Sequence, residues 1–191
     1  MKKIILASSS PRRKELLEKL GIEFDIDPSN YEEDMSLDLK PHNLTKYLSR
    51  KKAEDVAKRH KNAIIVAADT LNFLEEEILC KPKTQLEAKK MLVKTSGKCQ
   101  FVITGFTIID TKTKKSVSKS VETKVYFRKI SSKEISAYLK KGESLDKAGG
   151  YAIQGFGSIL IEKIEGDYYN VVGLPISVLV DNLKKFGIKV L

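Results

Sequence analysis

Lys3-Ile4-Ile5-Leu6-Ala7 is an apolar run of the length of a buried strand, and the residues after it restrict how the chain can continue. Ser8-Ser9-Ser10-Pro11 breaks the run, and Arg12 to Leu20 reads as a helix that stops at Gly21. Ser10 suits the N-cap and Pro11 the first helical position, so the strand-to-helix boundary is marked twice. At that boundary unpaired backbone amides and the positive end of the helix dipole face the strand's C-terminal end, beside three hydroxyls and two guanidiniums. Such a turn is either a cradle for a phosphate or a polar turn with two solvated arginines. The stretch alone leaves both open.

The remaining elements alternate at first and then change character. Ile22 to Ile26 alternates apolar and acidic residues like a half-buried strand, and Asp27 to Leu39 is an acidic segment centred on Tyr31-Glu32-Glu33-Asp34. Pro41 to His60 reads as a helix with an apolar stripe of Leu44, Tyr47, Leu48, Val56 and Ala57. Lys51 and Lys52 fall inside that sector, either as snorkelling stems or as cations aimed into a polar site. Ala63 to Ala68 is a doubly buried strand that is expected to end at Asp69-Thr70, at the same end of a parallel sheet as the serine turn. Leu71 to Leu74 and Ile78-Leu79 can form a hairpin through Glu75-Glu76-Glu77. Thr84 to Glu87 and Ser131 to Glu134 are capping boxes that open helices. Gln100 to Asp110 and Lys115 to Arg128 are long β segments, Ile159 to Ile164 is a further strand, and Gly173-Leu174-Pro175 opens a final helix capped by Gly187. The pattern predicts a mixed α/β sheet.

Composition narrows the class. The 191 residues suffice for one domain with a real core, and no apolar run has the length of a membrane span or a signal-peptide core, so a cytoplasmic location is expected. Cys80 and Cys99 lack metal-type spacing and are expected as free thiols, while His42 and His60 are expected to be exposed rather than ligands. A formal charge of +10 calls for an anionic partner, but the lysines are scattered and not interleaved with aromatics as an RNA-stacking surface would require. The acidic cluster around Tyr31-Glu32-Glu33-Asp34, unexpected in so basic a chain, is either a solvated loop or a metal or catalytic site, since hard oxygen ligands suit Mg²⁺.

Taken in order, these segments resemble the Maf family of nucleoside triphosphate pyrophosphatases, also called septum-formation inhibitors. The resemblance rests on Leu6 to Leu17, Glu32-Glu33, Lys52-Ala53, Ala68-Asp69-Thr70, Lys81-Pro82, Ser96-Gly97, Asp146 to Gly149, Tyr151 to Gly155 and Val172 to Pro175. It implies a single domain over residues 1–191, an elongated mixed α/β sheet flanked by helices, with two lobes around a cleft. It further implies cleavage of a triphosphate between its α and β phosphates with a divalent cation, Mg²⁺ or Mn²⁺, and a homodimer with no membrane or nucleic-acid partner. By the family's pattern Asp69 matches the general base, Glu33 the second carboxylate, and both the metal ligands. Lys52 and Lys81 match the triphosphate-binding lysines, and Ser8, Ser10 and Arg13 the phosphate turn. Arg12, Thr70 and Gln154 match the combination of the branch that prefers dTTP and UTP, as against 7-methyl-GTP. A glutamine can both donate and accept, as the O4 and N3–H edge of uracil or thymine requires.

The sequence departs from the pattern at Cys80, where glycine usually precedes Lys81-Pro82, at Glu75-Glu76-Glu77, at Asn72 and at Gly150. The competing readings are a 7-methyl-GTP or broad-range pyrophosphatase, and a non-enzymatic nucleic-acid-binding module; a role in cell division is implied only by the family's second name.

Overall fold

The computed structural model describes residues 2–75, 77–145 and 147–190. Glu76 of the expected hairpin turn and Asp146 of the glycine-rich motif lie outside these residues. Among the described residues the strands are β1 (Lys3–Leu6), β2 (Asp25–Ile26), β3 (Ala63–Leu74), β4 (Glu77–Leu79), β5 (Cys99–Asp110), β6 (Ser116–Phe127) and β7 (Ile161–Glu165). The helices are α1 (Pro11–Glu18), α2 (Pro41–Ala57), α3 (Gln85–Thr95), α4 (Ser132–Leu139), α5 (Tyr168–Val172) and α6 (Ile176–Leu183).

One sheet takes the strands in the order β2-β1-β3-β5-β6-β7, with β4 paired to β3. It is mixed: β1 runs parallel to β2 and β3, whereas β3–β4 and β6–β7 are antiparallel. Of the two expected capping boxes, the one at Ser131 forms in full and the one at Thr84 forms by half, the Glu87 carboxylate accepting the Lys83 amide. Thr84 accepts the Glu87 amide, and Ser131 and Glu134 form a reciprocal box that holds the first turn of α4. Gly187 ends the last helical segment at φ 80, a conformation that favours glycine.

Several boundaries differ from the sequence reading, and one of them bears on the site. β3 does not stop at Asp69-Thr70 but continues to Leu74. β1 ends at Leu6, opposite Val66, and β4 takes up pairing only from Asn72. Asp69 and Thr70 therefore sit on an extended stretch just past the end of β1, where tertiary partners override the local turn signal. The strand Ile22–Ile26 shrinks to Asp25–Ile26, and α5 is a helix that the sequence did not signal.

The chain divides into two compact units. The first comprises Met1–Thr70, Thr104–Val121 and Gly173–Leu191; the second comprises Leu71–Ile103 and Glu122–Val172. In the first, Ala53 and Val56 of α2 close over Ile5, Ala63, Ile65 and Ile109 of the sheet. In the second, Ala88 and Leu92 of α3 and Ile135 and Tyr138 of α4 pack on Val102, Val125 and Phe127. No helix among the described residues is long and apolar enough to cross a membrane.

The seating of α2 on the first unit depends on Gly105 of β5. A Cβ there would lie 2.3 Å from the carbonyl carbon and oxygen of Thr45, so the helix backbone rests directly on the strand. Ser49 adds a buried hydroxyl contact to Thr107, at 3.0 Å. Gly105→Ala should therefore push α2 outward and destabilise the fold by about 2 kcal/mol, as overpacking does, read from urea unfolding midpoints.

Candidate active site

The site of the first unit begins where β1 and β3 run side by side. The Ala7 amide donates to the Val66 carbonyl at 2.8 Å, so the serine turn leaves the sheet beside the stretch that carries Asp69 and Thr70. Ser10 occupies the N-cap position of α1 with Pro11 at the first turn, but its hydroxyl makes no capping bond. The turn is shaped instead by Ser8, whose Oγ accepts the Ser10 amide at 3.2 Å.

Arg13 ties the turn to two other segments. Its Nε donates to the Gly173 carbonyl at 2.9 Å, one Nη to Ser8 Oγ at 3.3 Å, and the other to Thr70 Oγ1 at 3.1 Å. Thr70 in turn shares a hydrogen bond with Thr104 at 2.9 Å. Desolvation lowers the Arg13 pKa, while the nearby Asp69 carboxylate opposes that shift; a guanidinium stays charged regardless. With Ser8 Oγ already accepting two donors, its own proton is available to a further acceptor.

Lys52 is the centre of the arrangement. Its ammonium donates to Glu33 Oε1 at 2.5 Å and to Asp69 Oδ1. Asp69 is only 4% exposed, and its Oδ2 is buried with no hydrogen-bond partner among the described residues. Lys51 is excluded from this cluster: it lies over the Tyr47 ring and pairs with Glu54. The helical periodicity could not separate the two lysines; the structure separates them.

An orphaned anionic oxygen suits a hard cation. Among the described residues no three His, Cys, Asp or Glu side chains converge on a metal-sized point. The two carboxylates Asp69 and Glu33 nevertheless fit Mg²⁺, which commonly takes one or two carboxylates and fills its shell with water and phosphate oxygens.

The segment that leads to Glu33 is held against α2 and the turn after it by a network that the sequence did not announce. Arg59 forks onto Asp27 at 2.9 and 3.0 Å and donates to the Pro28 carbonyl, while His60 Nε2 lies 2.7 Å from Asp27. His60 is thus half-buried against a carboxylate rather than exposed as expected. Asp55 accepts the Asn30 amide at 2.9 Å and the Ser29 hydroxyl at 3.0 Å.

The second unit holds the candidate residues Lys81 and Gln154. Lys81 is exposed and Gln154 half-buried, at the start of a short 3₁₀ segment. The Cys80 carbonyl accepts the Gly149 amide at 3.2 Å, which joins the Lys81 segment to the glycine-rich loop. Asn72 donates to the Ala148 carbonyl at 3.0 Å, so a polar residue at this position finds a partner where an apolar one would not. Cys80 is not among the residues with positive φ, which explains why the chain tolerates a side chain there; Glu75, at φ 58, takes the left-handed conformation instead. Both thiols are free, Cys80 exposed and Cys99 half-buried. Arg12 is half-buried on α1, next to Arg13. The first unit therefore brings together Ser8, Arg13, Thr70, Lys52, Asp69 and Glu33, with Ser10 in the same turn.

A family model described as Maf-like protein matches residues 3–186. The chain is 49% identical over 191 residues to a dTTP/UTP pyrophosphatase of Caldicellulosiruptor saccharolyticus, covering 98% of this chain and 96% of the relative. A dTTP/UTP pyrophosphatase of Methanococcoides burtonii is 48% identical, with 100% and 98% covered, and one of Bacillus cereus is 48% identical, with 100% and 93% covered.

The Asp27 clamp has a pH signature. The Arg59 hydrogen bonds, with help from His60, hold the Asp27 carboxyl down at about 2, below its ordinary 3.8. A depressed carboxylate stabilises the fold above its ordinary pKa and loses that contribution as the pH falls toward the depressed value. The stability advantage of the wild type over Asp27→Asn should be full at pH 6 and close between pH 3.8 and about 2, read from urea midpoints across that range.

Proposed function

The chain belongs to the Maf family, and on that premise we propose that it hydrolyses nucleoside triphosphates to a monophosphate and pyrophosphate, with dTTP, UTP and modified pyrimidine nucleotides as substrates. The observation that carries this reading is the Lys52 ammonium held by Asp69 and Glu33, next to the turn built by Ser8 and Arg13. The same unit thus offers cations and hydroxyl donors for a polyanion and a buried carboxylate for a proton.

The chemistry derives from those groups. Ser8, Ser10 and Arg13 receive phosphate oxygens, and Lys52 moves part of its charge from the carboxylates to the triphosphate. Asp69 orients a water and takes its proton as the oxygen attacks the α-phosphorus; the α–β anhydride bond breaks and pyrophosphate leaves. Lys81 offsets charge that grows on the departing pyrophosphate, so its effect falls on turnover as well as on binding. Asp69 and Glu33 would hold a divalent cation, whose charge, when bound, offsets that of the phosphates. Gln154 reads the pyrimidine edge, with Arg12 and Thr70 contributing to the choice of base. The role is nucleotide-pool cleansing by a cytoplasmic homodimer.

The test is a panel of triphosphates with both products identified. UTP and dTTP should yield UMP or dTMP with pyrophosphate; silence across the panel together with salt-sensitive RNA binding would favour a nucleic-acid module. Asp69→Asn should lower kcat at least about 100-fold with an unchanged circular dichroism spectrum. Gln154→Glu should lower the ratio of dTTP to 7-methyl-GTP turnover, and an unchanged ratio would remove Gln154 from base recognition.

A further inference from the structure

The Glu33 carboxylate reaches Lys52 from a segment, residues 27–33, that forms no strand or helix and must be held in place by something else. That something is one face of α2. Along it Lys52 and Asp55 stand three residues apart, and Arg59, four residues further on, follows in the turn just past the helix end at Ala57. The segment runs along this face in the opposite direction. Asp27 meets Arg59 and His60, Ser29 and Asn30 meet Asp55, and Glu33 meets Lys52.

Asp55 is the middle pin of the three. Its Oδ2 accepts the Ser29 hydroxyl at 3.0 Å, the Asn30 amide at 2.9 Å and an Arg59 Nη at 3.3 Å. Ser29 passes the constraint on, since its Oγ accepts the Tyr31 amide at 3.0 Å. The Asn30 hydrogen bond is the largest cause that holds the Asp55 carboxyl below the usual range. Two residues after Tyr31 the chain delivers Glu33.

We propose that Asp55 is a positioning residue of the reaction: by holding Ser29 and Asn30 on α2 it sets the Glu33 carboxylate against Lys52. The inference rests on the reading of this site as a triphosphate pyrophosphatase. Asp55 touches no reacting atom and acts through Glu33. Loss of a group that orients a ligating carboxylate commonly costs 10- to 100-fold in activity or metal affinity, and a similar loss is expected here.

The test compares Asp55→Ala with Asp55→Asn in the full chain. Alanine removes the acceptor for Asn30 and Ser29, whereas asparagine keeps a carbonyl oxygen at the same place. Asp55→Ala should lower kcat for UTP about tenfold or more with little change in KM, and Asp55→Asn should restore most of that loss. Amide hydrogen exchange gives a readout that needs no turnover: Asn30 should lose protection in the alanine variant and retain it in the asparagine variant. Wild-type kcat in Asp55→Ala, equal impairment of both variants, or unchanged protection at Asn30 would each overturn the proposal. If the wild-type protein releases no pyrophosphate from any triphosphate, the functional reading fails instead, and exchange at Asn30 still decides whether Asp55 holds the segment.

Discussion

A single ammonium, that of Lys52, holds together the chemistry of the first unit. It donates to a carboxylate that is almost fully buried, Asp69, and to one at the surface, Glu33. A buried carboxylate without a cation would be costly, and removal of one partner from such a pair typically costs about 3–5 kcal/mol. Everything that fixes Lys52 therefore fixes the site. The helix that carries it lies on β5 with no side chain between at Gly105, and the strand that carries Asp69 is paired with β1 up to Val66. The two carboxylates thus arrive from different elements, one rigid and one from an irregular segment pinned to α2. That asymmetry gives Asp69 a fixed place and makes the location of Glu33 depend on Asp55, Arg59 and Asp27.

Much of the fold can be read from residues whose local physics is strong. Pro11 after three serines marks the start of α1, two threonine or serine caps mark α3 and α4, and Gly187 marks the end of the last helical segment. The error at Asp69-Thr70 has a clear cause. A polar dipeptide after six apolar residues looks like a strand end, yet Thr70 bonds to Arg13 and Thr104, and one oxygen of Asp69 takes the Lys52 ammonium. These partners lie far away in sequence, so no window on the sequence contains them.

The candidate site shows the same limit from the other side. Ser8, Arg13, Asp69, Lys52 and Glu33 can be named by resemblance with a role for each, but the contacts that hold them cannot. Arg13 gives three hydrogen bonds to its own chain, including one to the backbone of Gly173, and so builds the turn as well as facing whatever the turn binds. Asp55, Arg59 and His60 read as an ordinary charged, solvated stretch of helix. Only their register against residues 27–30 reveals them as a clamp, and the Lys52, Asp55, Arg59 spacing is the one signal in the sequence that points to it. In the second unit, Asn72 looks like a defect in an apolar position until its amide is seen to hold the Ala148 carbonyl.

Attack of a water, oriented by Asp69, on the α-phosphorus is the step on which the functional reading turns. The most direct test is turnover of UTP in ¹⁸O-enriched water with mass analysis of both products. Attack at that atom places one ¹⁸O in the UMP phosphate and none in the pyrophosphate. Label in the pyrophosphate, or release of UDP and inorganic phosphate, would contradict it.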